Sequence, residues 1–382
     1  MAKILIINYE FPPLGGGGGR VSLNLAKGFQ AEGYRVDVLT SRYGGLPTYE
    51  NVNGIHVYRV LVLGRRKKQT ATFFSMFTFL LSGCLRGIIL CRKNQYVLIN
   101  THFVLPTGPL GFVLSTLFQI PDILSIHGGD IYDPSKKSSP HKNRLLGIVV
   151  RFLLRRADRV VAQSQNTKQN AIQYYNPGRE IHVIPLSYEP FCFSAVSRRE
   201  LGLSENKRYL VSVGRVVKRK GFDYLIKSLE LLDEDVELLL IGDGGERAVL
   251  QDLAKTMGLS HRIQFVGDVS EEEKFQYLAN ADIYVLSSLH EGFGIVLQEA
   301  MQVGLPIVST NYGGQVDLII NQVNGLLVEP ENAVALAEAI KQLLRDENLY
   351  KKISYNNVEK VREFRPETII HEHLKLIKDR AV

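Results

Sequence analysis

The sequence predicts an α/β protein of two doubly wound, Rossmann-like parallel-sheet domains, on three observations. The first is length: 382 residues exceed what one hydrophobic core serves. The second is a recurring unit in which a short aliphatic run leads into a loop and a helix, opened by Lys3–Asn8, Ile123–Ile126, Arg208–Val213 and Ala281–Leu286. The third is the placing of glycine: the 33 glycines fall largely in the loops after those runs, where open α/β sheets bind their ligands.

Taken in order, Lys3–Asn8 reads as a buried strand, followed by Phe11-Pro12-Pro13-Leu14 and a run of five glycines, Gly15 to Gly19. A helix from Arg20 to Ala31 closes at Gly33, and Arg35–Thr40 is a second strand, which makes a βαβ opening. The dinucleotide fingerprint G-x-G-x-x-G/A fails in both frames, since Gly15 and Gly17 lead to Arg20 while Gly16 and Gly18 lead to Val21. Asp37 also lies inside the second strand rather than at its end, so a nicotinamide cofactor is not expected. Gly54–Leu63 reads as a strand. The basic cluster Arg65-Arg66-Lys67-Lys68 then adjoins the apolar Thr72–Leu81. That pairing suits a surface helix on an anionic membrane, or a helix covering the sheet behind a solvated loop. Arg86 interrupts the apolar stretch 71–90, which is expected to fall short of a bilayer span.

Tyr96–Asn100 and Ile123–Ile126 are further strands, and the latter ends in His127-Gly128-Gly129-Asp130. A neutral imidazole at the carboxyl end of a central strand can donate to a sugar hydroxyl or a phosphate oxygen. Leu145–Arg156 is apolar on one face, with Arg144, Arg151, Arg155 and Arg156 in or beside it. It is a second membrane-facing element or a helix with a solvated basic face. Asp158–Ser164 and Ile181–Pro185 close the first half as strands, and 186–191 is taken as the junction.

The second half opens with strand Arg208–Val213 and the loop Gly214-Arg215-Val216-Val217-Lys218-Arg219-Lys220-Gly221. Several cations in a loop at a strand's carboxyl end make a phosphate clamp. Strand Glu237–Ile241 ends in Gly242, and Ile263–Gly267 ends in Val266 and Gly267. Ala281–Leu286 leads through Glu291-Gly292-Phe293-Gly294 into a helix from Ile295 to Val303, stopped by Gly304. The amides of such a helix start are free donors in the positive end of the helix dipole, so a diphosphate is the natural guest. Glu291 and Glu299 frame it, and carboxylates accept paired hydrogen bonds from vicinal hydroxyls. Phosphate and hydroxyls together describe a nucleotide-sugar; an ordinary strand–loop–helix with surface glutamates is the alternative. The tail is helical by pattern at 332–345 and 349–379, divided by Pro366.

The frame Glu291-Gly-Phe-Gly-Ile-x-x-x-Glu299-Ala-Met continues through Gly304-Leu305-Pro306-Ile307-Val308, Gly313-Gly314 and Asn324-Gly325-Leu326-Leu327-Val328. It resembles the retaining glycosyltransferases of family 4 (group 1), which have the GT-B architecture of two Rossmann-like domains facing across a cleft. The resemblance implies an acceptor-binding domain at residues 1–187 and a nucleotide-sugar-binding domain at 188–365. Residues 366–382 would be a helix crossing back to the first domain. Arg215 and Lys220, at the family's spacing, would hold the donor diphosphate with the backbone from Phe293 and Gly294 to Ile295 and Val296. Lys218 and Arg219 are extra to that spacing and read as solvated. His127 would lie near the transferred sugar, Glu291 on its hydroxyls and Glu299 on the ribose. Gly18 and Gly19 would face the donor phosphates, with Gly214, Gly242, Val266 and Gly267 lining the nucleotide pocket. No Asp-x-Asp pair stands at the pocket, so no metal and no cofactor are expected, the protein's cations serving instead. With no second carboxylate placed as a nucleophile, the resemblance implies same-face substitution assisted by the phosphate.

The net charge of +7 and a pI near 9.1 favour anionic partners. Nothing resembles a nucleic-acid-binding module. Cys84, Cys91 and Cys192 form no framework and read as reduced core thiols. With no signal-peptide pattern at the start, the expected place is the cytoplasm, peripherally on the inner face of the membrane. The expected partners are a nucleotide-sugar donor, a glycan or glycolipid acceptor and an anionic membrane surface. The rival readings are another GT-B enzyme such as a nucleotide-sugar 2-epimerase, and a non-catalytic nucleotide-sugar-binding protein.

Overall fold

The structure, a computed structural model, describes residues 1–65, 71–136 and 138–378. In chain order the elements begin β1 (Lys3–Ile7), α1 (Gly17–Ala31), β2 (Arg35–Arg42), β3 (Tyr49–Val52), β4 (Ile55–Leu61), α2 (Phe73–Lys93), β5 (Tyr96–His102) and α3 (Gly108–Phe118). They continue through β6 (Asp122–Ile126), α4 (Arg144–Arg156), β7 (Arg159–Ala162), α5 (Gln165–Tyr175), β8 (His182–Val183), β9 (Arg208–Val213), α6 (Phe222–Leu229), β10 (Val236–Ile241) and α7 (Arg247–Thr256). The last are β11 (Ile263–Gly267), α8 (Glu271–Asn280), β12 (Ile283–Leu286), α9 (Ile295–Gln302), β13 (Ile307–Thr310), β14 (Leu326–Val328), α10 (Ala333–Arg345), α11 (Glu347–Val361) and α12 (Pro366–Lys378).

Two units result: Met1–Glu189 together with Phe364–Val382, and Pro190–Glu363. The first holds an eight-stranded sheet in the order β3-β4-β2-β1-β5-β6-β7-β8. Every pairing in it is parallel except β3 with β4. The second holds a six-stranded parallel sheet, β11-β10-β9-β12-β13-β14. The central strands read as unbroken aliphatics because helices cover both faces: β1 is Lys-Ile-Leu-Ile-Ile with its last four residues buried. In each sheet the strand order reverses once, at β1/β5 and at β9/β12. Such a switch point leaves a crevice at the strands' carboxyl ends.

Several expectations are corrected here. Helix α1 begins at Gly17, so Gly17 to Gly19 form its first turn and are not loop. The glycines there serve close packing: a Cβ on Gly18 would lie 2.4 Å from the Phe103 ring, and one on Gly19 would lie 3.0 Å from the Leu14 carbonyl. The expected strand Gly54–Leu63 is half of a hairpin, β3–β4, turned by Asn53 and Gly54 at φ 51° and 88°. Asn-Gly is the residue pair such a turn prefers. Arg65 is no solvated charge: it is buried, donates from Nη1 to Ser41 Oγ at 2.7 Å and lies over the Tyr9 ring. Arg66, Lys67 and Lys68 lie outside the described residues. Cys192 is exposed and belongs to no core, whereas burial pushes the Cys91 thiol up to about 11. Helix α2, with 21 residues, is long and apolar enough to cross a membrane by length and composition. Its inner face nevertheless packs in the first unit, where Phe79 meets Tyr9 edge-on at 5.2 Å.

Candidate active site

The second unit carries the denser cluster. Strands β9 and β12 are neighbours, which brings the loops that follow them together. The β9 loop closes with a short 3-10 turn, Lys218–Lys220, and the two loops are stitched through its backbone carbonyls: Leu289 N donates to Arg219 O at 2.8 Å, and Ser287 Oγ to Lys220 O at 2.9 Å. Inside this seam Lys220 Nζ meets Glu291 Oε1 at 2.5 Å. Only 7% of Lys220 and 8% of Glu291 is exposed. Ser288 Oγ donates to the same oxygen at 2.7 Å. Arg219 Nη1 reaches Glu291 Oε2 at 3.3 Å and the His290 carbonyl at 2.7 Å.

Burial alone would raise the Glu291 carboxyl, but the Lys220 and Arg219 charges and the Lys220 and Ser288 hydrogen bonds outweigh it and hold it well below the usual carboxylate range. Burial lowers the Lys220 ammonium, and the Glu291 carboxylate opposes that. Glu291 is therefore ionised at neutral pH, and its carboxylate favours the charged form of Lys220. Arg215 is exposed at the head of the loop, close enough for its charge to act on Lys220. Gly214 lies under the Lys220 stem, where an added Cβ would sit 2.9 Å from Cε. Three cations against one carboxylate leave this strand edge net positive and suited to a diphosphate.

Helix α9 starts beside it. Gly294 holds its N-terminal cap at φ 112°, a conformation that favours glycine, and no side chain caps the helix. The amides of Ile295 and Val296 fall in its first turn, where no intrahelical acceptor exists. Phe293 is buried beneath them. The loop after β13 supports the seam: Thr310 Oγ1 donates to Ser288 O at 2.6 Å, and Gly314 N to Glu291 O at 2.7 Å. Glu299 lies one turn into α9, 4% exposed, with Lys274 Nζ of α8 at 2.6 Å from Oε1. The rest of the predicted pocket lines the same edge. Gly242 N donates to Gly267 O at 2.8 Å, and Val266 precedes Gly267 at the end of β11. The carboxyl ends of β11, β10, β9 and β12 thus present Gly267, Gly242, Gly214 and Glu291 side by side.

The first unit places His127 at the carboxyl end of β6. Asp130 fixes its loop, accepting from His127 N at 2.9 Å and from Val104 N at 2.7 Å; burial pushes the Asp130 carboxyl up to about 6. Phe103 stacks against the His127 ring at 4.3 Å and also meets Gly18, so the glycine-led start of α1 lies in the same neighbourhood. His127 Nε2 lies 3.0 Å from His102 Nδ1, at the end of β5. His102, Ser125 and His373 of α12 line a cavity of about 20 Å³ beside His127.

Sequence reasoning missed Arg219, Ser288, Lys274 and His102. The expectation that Arg219 is merely solvated is wrong, because β9 beside β12 turns it onto Glu291. Its membership of a three-cation run was the one available signal. Lys274 had none, standing in a helix that begins with three glutamates.

Burial of the first unit's imidazoles has a measurable consequence. It lowers His127 and His373 to about 4, and burial with the neighbouring imidazoles holds His102 well below its ordinary value. A histidine depressed in the folded state stabilises fully above its unfolded value, near 6.5, and loses that contribution as pH falls toward its folded value. Stability should therefore fall between about pH 6.5 and pH 4, by on the order of 3 kcal/mol each for His127 and His373, and the Tm with it. His373→Phe should flatten the slope; an unchanged slope would remove His373 from this account.

Cations and helix-start amides on one strand edge, with carboxylates among them, make an α/β protein with an edge suited to a phosphorylated ligand, and comparison with known families narrows the class. Residues 193–360 match the family described as glycosyl transferases group 1, and residues 15–189 match glycosyltransferase family 4. Together the two matches take in most of the chain, which belongs to the group 1, family 4 glycosyltransferases. An uncharacterized glycosyltransferase of Methanocaldococcus jannaschii is 28% identical over 388 residues, covering 94% of this chain and 96% of its own. The N-acetyl-alpha-D-glucosaminyl L-malate synthase of Bacillus anthracis is 25% identical over 376 residues, covering 96% and 95%. Among solved structures, sucrose-phosphate synthase from Thermosynechococcus elongatus superposes with a TM-score of 0.88 at 25% identity, covering 100% of this chain and 99% of its own. The fold is GT-B.

Proposed function

We propose that this glycosyltransferase moves a sugar from a UDP- or GDP-sugar to a hydroxyl acceptor, retaining configuration at the anomeric carbon and using no metal. The observation that carries the reading is the buried Lys220–Glu291 pair, with Arg219 and Ser288, at the β9/β12 switch point. In the transition state, charge builds on the β-phosphate of the leaving nucleotide. Lys220, held by Glu291, and the first-turn amides of α9 are fixed donors for it and need no reorganisation, and Arg215 adds its charge from the exposed head of the loop. Glu291 spends Oε1 on Lys220 and Ser288, and Oε2 on Arg219. Its remaining lone-pair capacity accepts a sugar hydroxyl. Glu299, steadied by Lys274, takes the ribose hydroxyls, and His127 contacts the transferred sugar.

The two relatives named for a product, an N-acetyl-alpha-D-glucosaminyl L-malate synthase and a sucrose-phosphate synthase, differ in that product, so the acceptor is read from this chain's own surface. We read it as a lipid-linked or cell-envelope glycan, met at the cytoplasmic face of a membrane with peripheral contact. The first experiment is a thermal-shift panel of UDP-, GDP- and ADP-sugars, followed by transfer assays with the stabilising donor. Transfer should persist in EDTA; loss that Mg²⁺ restores would overturn metal independence. Donor consumption without acceptor-dependent transfer would point instead to epimerisation or hydrolysis.

A further inference from the structure

Helices α2, α3 and α4 lie side by side on one face of the first unit. Gly83 and Gly87 of α2 let Leu110 and Leu114 of α3 approach closely, since a Cβ on either would lie within 2.8 Å of those leucines. Phe112 of α3 meets Phe152 of α4 edge-on at 5.0 Å. The outward side of this layer is apolar. On α2, Phe74, Phe77, Leu81, Leu85 and Ile89 are all exposed, recurring at the three- and four-residue spacing of one helix stripe. Val113 and Leu117 continue it on α3, and Ile148, Val149 and Phe152 on α4. Among the described residues, twelve of the twenty-six exposed large apolar side chains lie on these three helices.

Charge on the layer is of one sign. The three helices carry seven cations, Arg86, Arg92 and Lys93 on α2 and four arginines on α4, and no Asp or Glu. The whole chain has 46 basic and 39 acidic residues, so the bias is local. An exposed apolar patch of this extent marks an interaction site. A second copy of the same face would bring cations against cations, whereas an anionic bilayer takes apolar side chains into its acyl boundary and arginines at its phosphates.

We infer that the α2–α3–α4 face seats the protein on an anionic lipid surface, Phe74, Phe77 and Phe152 entering the interface and the arginines resting on headgroup phosphates. The layer's edge supports a role in catalysis. Helices α3 and α4 begin after the carboxyl ends of β5 and β6, the edge that carries His102 and His127, so a lipid-linked acceptor would arrive beside His127. This deepens the peripheral contact proposed above and rests on that reading only for the acceptor.

The test is flotation of the full chain with phosphatidylcholine vesicles, with and without phosphatidylglycerol. The protein should float only with the anionic vesicles and be partly released by high salt. Phe74→Ser with Phe77→Ser, and separately Arg144→Glu with Arg151→Glu, should each lower partitioning by about tenfold or more at unchanged circular dichroism. No flotation of the wild type, or equal flotation of both variants, would overturn the inference. So would a dimer by light scattering that Phe77→Ser dissociates, since it assigns the face to a second copy. A nucleoside-diphosphate thermal shift that survives in the variants keeps the two readings apart: lost flotation with the shift retained is a result on the face alone, and absence of any shift in the wild type bears on donor binding alone.

Discussion

Glu291→Gln should lower kcat/KM for sugar transfer by about 10³-fold while leaving affinity for the nucleoside diphosphate unchanged or higher. The amide keeps the shape but loses the charge that orients Lys220 and accepts the sugar hydroxyl. The cations meanwhile lose their internal counter-ion and face the diphosphate with more net positive charge. A residue with only a structural role would lose both quantities together. Titration calorimetry with the nucleoside diphosphate, beside steady-state transfer rates, separates the cases. Wild-type turnover in this variant would remove Glu291 from the site.

The second large effect concerns its partner. Lys220→Met should abolish transfer and also destabilise the protein by about 3 kcal/mol, because it leaves a buried carboxylate with only Arg219 and Ser288 to hold it. The double variant Lys220→Met with Glu291→Gln removes both charges and should recover most of the lost Tm while staying inactive. Recovery of stability without activity would separate the pair's contribution to folding from its part in catalysis. An active double variant would show that the diphosphate is held elsewhere.

How much was legible follows from the range of the interaction. The strands Lys3–Ile7, Arg208–Val213 and Ile263–Gly267 could be read because an unbroken aliphatic run is local. Glu291, Glu299 and the Arg215–Lys220 spacing could be read because each sits in a local frame. Contact between Lys220 and Glu291 spans 71 positions and depends on β9 lying beside β12, which no local pattern states. His102 was hidden by a boundary: the strand was expected to end at Asn100, but it runs on to His102 and carries that ring to His127. The β3–β4 hairpin had its signal in Asn53-Gly54, but Gly54 was read as the start of a single strand.

The first unit closes with a segment translated after the whole of the other unit. Ile369, Ile370 and Leu374 of α12 join the core that contains Ile4, Leu25 and Phe29, and Ile370 lies against Gly28 of α1. Between Glu189 and Phe364 the ribosome must deliver the whole of the other unit, a wait of roughly 10–30 s at ordinary elongation rates. During that interval the nascent amino-terminal half exposes an unfilled groove along α1. The intervening unit is encoded in one continuous stretch and can finish folding first, so vectorial synthesis completes this enzyme from the middle outward.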